Sequence, residues 1–460
     1  MGGVTPRVIR QIAAGSACRK VSRPLPTALT WARHGLKSET VDRFLIRGGR
    51  PLKGRLTAAA AKNAVLPILA ACLLTDETCT IRSVPALEDV AAMLGLLETL
   101  GVKVVRRGRT IEITAAGKIA LGAPYDIVRK MRASYYVLGP LLARFGECRV
   151  SLPGGCAIGP RPVDLHLRGI EALGAQVNLE HGYIHARGRP LEGNTMLLEG
   201  SHGPSVGATA NTLMAAVLAR GKTVIQSAAC EPEIADLARF LNRMGAQVRG
   251  AGTPTITIQG VKRLHGAACR PIPDRIEVGT LAVAAAITGG EIEIAGCRPA
   301  HLGAVVEKLR EAGAAVETSR TGICVAMSGR PGPVQLATAP FPGFPTDLQA
   351  QFMALLCLGR GTSVISEGIF ENRFLHALEL NRMGADIAIS GNVAVVNGVE
   401  KLSSAQVMAS DLRASAALVL AGLAAKGETE ILRIYHLDRG YEKLDRKLGR
   451  VGADIRRIHD

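Results

Sequence analysis

Aromatic residues are scarce in this chain, with one Trp, six Tyr and eight Phe among 460 residues. A stacking platform for single-stranded nucleic acid needs aromatics interleaved with basic residues, and no such stretch occurs. Long apolar runs are also missing. The longest, around residues 414–425, is too short to span a bilayer. There are ten cysteines but no C-x-x-C pair and no Cys/His cluster at zinc spacing, so a structural or catalytic metal centre is not expected. Most cysteines lie in apolar runs, as Cys72 and Cys357 do, which reads as buried, inert thiol. That usage fits a reducing compartment, and the expectation is a cytoplasmic protein.

Acids are nearly absent from the first forty residues, which hold seven Lys/Arg and only Glu39. This segment contributes +6 of the formal +17 charge. It reads as a basic N-terminal extension, expected to be disordered and outside the folded halves. An organelle transit peptide, a bacterial extension and a mis-assigned start all fit it. The remaining basic excess suits nucleic acid, anionic lipid or small anionic substrates and does not choose among them. With 47% apolar and 21% charged residues, the chain is globular and long enough for two or more cores.

Glycine is abundant, and its placement is periodic. Amphipathic segments end at Gly101, Gly174, Gly245, Gly313, Gly384 and Gly452, at steps of 73, 71, 68, 71 and 68 residues. Each is followed by a short β-branched strand. Glycine at that place predicts a left-handed residue just past a helix end. At the same step come segments that are apolar all round: 63–74, 133–145, 206–220, 278–288, 348–358 and 412–426. These predict six buried helices. The chain is therefore expected to be an α/β protein of six repeated units of about 70 residues. Six such units divide into two globular halves of three, with helices inside and sheets outside, the inverse of the usual α/β barrel.

The starts of the six buried helices carry Lys62-Asn63, Arg132, Ser205, Glu277, Asp347, and Asp411 with Arg413. Ser and Asp cap helices routinely. Lys and Arg oppose the dipole there and need another reason, which an anionic ligand supplies. The most unusual loop is Pro153-Gly154-Gly155-Cys156-Ala157-Ile158-Gly159-Pro160-Arg161-Pro162. Arg161 beside Cys156 favours thiolate, so Cys156 is a candidate reactive residue.

Nine ordered segments carry a family resemblance: AAKNA around Lys62, MRAS around Arg132, the PGGC loop through His166, EPEI from Glu231, DRIE from Asp274, FPTD ending at Asp347, FENRF from Phe370, DLRASA from Asp411, and IYHLDRGYEKL around Arg439. They resemble the UDP-N-acetylglucosamine 1-carboxyvinyltransferases, the UDP-GlcNAc enolpyruvyl transferases, in unbroken order from about Val41 onward. The resemblance implies an inside-out α/β barrel of two domains, at 41–61 plus 273–460 and at 62–272, the latter carrying the Cys156 loop. It implies transfer of the enolpyruvyl group of phosphoenolpyruvate to the 3-hydroxyl of UDP-N-acetylglucosamine, with release of phosphate, no cofactor and no metal. This opens peptidoglycan synthesis, and the family is the target of fosfomycin.

Residue roles follow from the same resemblance. Cys156 matches the proton donor and covalent-adduct cysteine, and Asp347 the carboxylate that takes the 3-hydroxyl proton. A plain helix cap is the bland alternative for Asp347. Lys62, Asn63, Arg161, Arg413 and Arg439 match positions around phosphoenolpyruvate. Asn63, Arg132, Arg161, Pro162, Val163, Asp164, Leu165, Gly203, Pro204, Ser205, Val206, Asp347 and Ile369 match positions around the UDP-sugar. Asp411 matches a residue that orients Arg413. Ala60, Cys230 and Gly203-Pro204 depart from the usual pattern, which leaves the nucleotide contact at 203–204 open. The rival within the fold is the 5-enolpyruvylshikimate-3-phosphate synthases, against which PGGC and AKNA speak. A rival of another class, a basic nucleic-acid-binding protein, lacks its aromatic signature.

Overall fold

The computed structural model describes residues 42–128, 131–152 and 163–459, and the side chain of Arg132 lies outside that description. The basic segment 1–40 and the loop 153–162 also fall outside it.

All six repeat glycines adopt the left-handed conformation, with φ between +86° and +103°. Each follows an amphipathic helix: Glu88–Thr99, Asp164–Ala172, Pro232–Arg243, Gly303–Glu311, Leu375–Arg382 and Leu444–Gly449. The residue after each glycine donates its N–H back into the last turn, as Val102 does to Leu97 at 3.0 Å and Ala314 to Leu309 at 2.9 Å. This bond satisfies carbonyls that the helix end would otherwise leave orphaned. The local rule that only glycine meets without strain thus recurs once per unit.

Each unit contributes to a four-stranded sheet, and there are six such sheets among the described residues. Every one combines two antiparallel pairings with one parallel edge pairing. Two of these edge strands come from far along the chain. Lys53–Thr57 pairs with Glu291–Ala295, and Ala268–Cys269 pairs with Cys79–Ile81. The strand Arg43–Arg47 lies between Glu428–Leu432 and Asp454–Ile458.

The apolar helices form the interiors. Every residue of Gln349–Leu356 is buried, as are all of Arg275–Ile287 except Arg275 and all of Lys62–Ala71 except Asn63. One hydrophobic core runs from Val65 to Cys269; a second joins Phe44–Leu56 to Ile276–Val451. The chain passes between them twice, and the two passages pair: Ala61 N–H donates to Ile272 O and Asp274 N–H to Ala59 O, both at 2.8 Å.

Two buried helices differ from expectation at their starts. The second begins as a 3-10 turn, Arg132–Val137, before the α-helix Leu138–Phe145. Pro140 lies in the first turn of that α-helix, where a missing backbone N–H is tolerated. The fifth likewise begins with a 3-10 turn, Thr346–Leu348, before Gln349–Leu356.

Close helix contact depends on small residues. A Cβ built on Gly139 would lie 2.3 Å from the carbonyl oxygen of Asn211, in the neighbouring helix Val206–Ala216. Gly95, inside Glu88–Thr99, has open space at the same position. Gly139→Ala should therefore destabilise by ~1–3 kcal/mol. Gly95→Ala should stabilise by up to ~1 kcal/mol. Denaturant titration followed by circular dichroism checks both, and shifts of equal sign would contradict the packing described.

Candidate active site

The site grows from helix starts. Lys62 opens the helix Lys62–Ala71, which has no side-chain cap. Its ammonium is turned to Asp89, 3.0 Å from Oδ2. Asp89 lies in the first turn of Glu88–Thr99 and is 4% exposed. Its other oxygen, Oδ1, accepts from Arg439 Nε at 2.9 Å. One carboxylate therefore joins a cation beside the first core to a cation beside the second. Burial would raise the Asp89 carboxyl, but the charges of Lys62 and Arg439 outweigh it and hold it below the ordinary carboxylate range. Burial pulls the Lys62 ammonium below the ordinary lysine value; Asp89 resists the fall, and Arg413 adds to it.

Asp347, in the turn before Gln349–Leu356, makes a second cluster. Its Oδ1 accepts from Arg373 Nη2 and its Oδ2 from Arg413 Nη2, each at 2.8 Å. Burial opposes ionisation of this carboxyl, yet Arg413 and Arg373 prevail and hold it well below the usual range. Its side chain keeps 27% of its accessible surface, so it is not sealed in the core. Both of its oxygens are thus engaged by arginines, and the residues at the two cap positions, Pro345 and Leu348, supply no side-chain cap. Arg413 is buried, rests 5.4 Å from the centre of the Tyr441 ring, and also acts electrostatically on Lys62.

Arg373 is fixed in turn through Thr346. The Thr346 hydroxyl lies 3.2 Å from Arg373 Nη1 and donates to Glu367 at 2.9 Å. Glu367 also accepts the backbone N–H of Ile369 at 2.9 Å, which ties the position expected near the UDP-sugar to the Asp347 turn.

Some of the expected residues come together and others do not. Lys62, Asp347 and Arg413 interact directly or through their charges, and Arg439 reaches Lys62 through Asp89. Asn63 is half-buried beside Lys62. Asp411 acts on Arg413 through the main chain. It caps Leu412–Ala424 by accepting the N–H of Arg413 at 2.9 Å and of Ala414 at 3.1 Å, so it holds the main chain of Arg413. The guanidinium is held by Asp347 instead, because the cap geometry points the Asp411 carboxylate back at the helix start. Ser205 caps Val206–Ala216 through Ala208 N–H. Gly203 and Pro204 form a short hairpin strand with Glu199–Gly200, and a Cβ on Gly203 would meet Pro340 at 3.5 Å. Val163, Asp164 and Leu165 begin the helix Asp164–Ala172. Cys156, Arg161 and Pro162 lie outside the described residues, as does the side chain of Arg132.

Two site residues escaped sequence reasoning. Arg373 was visible only as part of FENRF. Asp89 left a fainter signal: it falls on the apolar stripe of its helix, with Met93, Leu96 and Leu97. An acid on that stripe needs a buried partner. Most described cysteines are buried, and burial pushes the thiols of Cys148, Cys269 and Cys357 up to about 12, which rules them out as nucleophiles at neutral pH. Among the described residues no metal-binding cluster occurs, and no helix is long and apolar enough to cross a membrane.

Comparison with known proteins gives this charged cluster a class. The family described as EPSP synthase (3-phosphoshikimate 1-carboxyvinyltransferase) matches residues 46–448. The enolpyruvyl transferase NikO from Streptomyces tendae superposes with a TM-score of 0.82 at 25% identity, covering 92% of this chain and all of that one. EPSP synthase from Acinetobacter baumannii gives 0.69 at 19% identity, covering 91% of this chain and all of that one, and so shares the fold. Fold and matches together define a carboxyvinyl transferase of the inside-out α/β type. Two relatives narrow the class. The UDP-N-acetylglucosamine 1-carboxyvinyltransferase of Myxococcus xanthus is 54% identical over 420 residues, 91% of this chain and 99% of that protein. That of Trichlorobacter lovleyi is 55% identical over 423 residues, 91% of this chain and all of that protein. The chain belongs to the UDP-N-acetylglucosamine 1-carboxyvinyltransferase family.

Asp347 yields a test that needs no substrate. Its folded carboxyl lies below the unfolded value of about 3.9. Its contribution to stability is thus present above that value and lost as pH falls through the lower folded one. Arg373→Met removes one of the two cations and should raise the folded carboxyl. The acid-unfolding midpoint, followed by circular dichroism, should then move to higher pH than in the unsubstituted protein. An unmoved midpoint would mean that Arg373 does not govern Asp347.

Proposed function

We infer that this chain transfers the enolpyruvyl group of phosphoenolpyruvate to the 3-hydroxyl of UDP-N-acetylglucosamine and releases phosphate. The observation that carries the reading is identity of 54–55% across nearly the whole length of relatives bearing that name. The EPSP synthase description of the wider family supports the class of reaction and leaves the acceptor to those closer relatives. The reaction supplies a precursor for peptidoglycan, which places the protein in cell-wall synthesis and so in growth and division, in the cytoplasm. The two cores correspond to two domains, with the acceptor and donor bound between them.

The chemistry is addition followed by elimination. The 3-hydroxyl oxygen forms a bond to C2 of phosphoenolpyruvate while the C2=C3 electron pair takes a proton at C3. The tetrahedral intermediate then loses a proton from C3 and phosphate from C2, and the double bond re-forms. Cys156 is the proposed donor of the C3 proton and the residue alkylated by fosfomycin. Asp347 is the proposed acceptor of the hydroxyl proton. Its ionised state suits that role, but two arginines make it a weak base. Transfer of either guanidinium onto the donor's phosphate or carboxylate would restore basicity as the substrates bind. Lys62, Arg413 and Arg439, with Arg161, neutralise the donor's anionic groups and the charge developed on departing phosphate. Val206, Ser205 and Ile369 are assigned to the sugar nucleotide side, with Asn63 between the two substrates.

Phosphate release should require phosphoenolpyruvate and UDP-N-acetylglucosamine together. Turnover with shikimate 3-phosphate in place of the sugar nucleotide would overturn the assignment. Asp347→Ala should lower kcat by at least ~100-fold with a smaller change in KM. A change confined to KM would reduce Asp347 to a binding group. Cys156→Ala should abolish turnover and remove inactivation by fosfomycin, read by phosphate release and by the mass of the protein–drug adduct.

A further inference from the structure

The cation pair of Lys62 and Arg439 is not held by the helices that carry them. Lys62 stands at an uncapped helix start, where the backbone dipole is positive. Arg439 follows the short helix Tyr435–Asp438, nearly four hundred residues later. Both are anchored by the two oxygens of Asp89, at 3.0 Å and 2.9 Å. The lysine and carboxylate side chains are 11% and 5% exposed, whereas Arg439 keeps 37%. Lys62 and Asp89 are therefore sheltered, and Arg439 is the open member of the group.

A second contact runs alongside. Arg109 donates to both oxygens of Glu442 at 2.7 and 2.8 Å, and Glu442 lies three residues beyond Arg439. The Arg439 segment is thus pinned to the first core at two points. Asp89 is the inner of these and the one that touches proposed donor-binding groups.

We propose that Asp89 is a positioning residue for the anionic donor: its carboxylate bridges Lys62 and Arg439, assembling one two-cation site across the cleft before the donor arrives. This rests on the function proposed above. The bridge removes part of the entropic cost of gathering two flexible cations at the moment of binding. It also keeps Lys62 charged. After burial, the leading influences on Lys62 are Asp89 and Asp347, which favour its ammonium, and Arg413, which opposes it. Arg439 acts through the shared carboxylate. Without Asp89, the largest influence opposing burial and Arg413 would be gone.

The test compares Asp89→Asn, Asp89→Glu and Arg439→Gln with the unsubstituted protein, after thermal melts show which variants fold. In phosphate release, Asp89→Asn should raise the KM for phosphoenolpyruvate about tenfold, and the alkaline limb of kcat/KM should move to lower pH by about one unit or more. Asp89→Glu retains the charge and should return the limb toward its original position. A general packing role would lower the melting temperature without moving that limb. An unchanged donor KM and limb in Asp89→Asn would overturn the proposal. A substrate-free readout separates this failure from failure of the functional assignment. The Lys62 side-chain resonance, labelled with 13C and assigned with Lys62→Arg, should titrate at lower pH in Asp89→Asn. It should titrate at higher pH in Arg439→Gln, because a competing cation is gone. Lys62 titration that is the same in every folded variant would overturn the proposal even if no turnover is found with any acceptor.

Discussion

The sharing of two carboxylates among four cations is the interaction on which this cleft depends. Lys62, Arg373, Arg413 and Arg439 gather where helix starts already bear partial positive charge. Left alone, such a group would repel itself and lose much of its hydration. Asp89 joins two of the cations and Asp347 the other two, through near-ideal charge-assisted contacts. Buried ion pairs of this kind give little net stability, since desolvation opposes the attraction. Their value here is positional: each carboxylate fixes the heads of two long side chains that come from different parts of the chain.

The inside-out fold explains why those heads can meet. Six buried helices pack within the sheets, and the starts of three of them, at Lys62, at the turn holding Asp347 and at Arg413, bring charged side chains within reach of one another. The caps then divide the labour. Asp274, Asp411 and Ser205 satisfy backbone donors at their own helix starts. Lys62 leaves its donors uncapped, and Asp347 spends its carboxylate on arginines. The repeat therefore supplies equivalent places, and divergence decides which place serves the backbone and which serves the cleft.

That division also sets what could be read in advance. The six glycines were legible because a left-handed position after a helix strongly favours one residue type. The buried helices were legible because they lack a polar face. Their starts were less so, as Pro140 and the Thr346–Leu348 turn show, because 3-10 and α turns share nearly the same local pattern. Lys62 and Arg413 stood out as cations at the wrong end of a helix, and resemblance gave Asp347 and Arg439 their expected roles. Asp89 did not stand out, because an acid in a first helical turn has an ordinary local explanation. Its partner lies 350 residues away. Only the closed path of the chain reveals that the local explanation is incomplete.

The same long path bears on how the cleft meets an anion. In these two clusters, two carboxylates against four cations leave an excess of two positive charges. An incoming phosphate and carboxylate would complete the balance, not disturb one already complete. Asp89 occupies only part of the donor sets of Lys62 and Arg439, so the donor can add to these contacts without dismantling them, whereas a guanidinium on Asp347 has to turn to the donor before that carboxylate can act as a base. Arginine and lysine differ in what they can then do. Each guanidinium can keep one edge on its carboxylate and turn another to the substrate, whereas the Lys62 ammonium is a compact charge that depends on its neighbours to remain protonated. A cleft built this way binds anions through groups that are already ordered, which is the condition for electrostatic stabilisation to act during reaction and not be consumed in assembling the site.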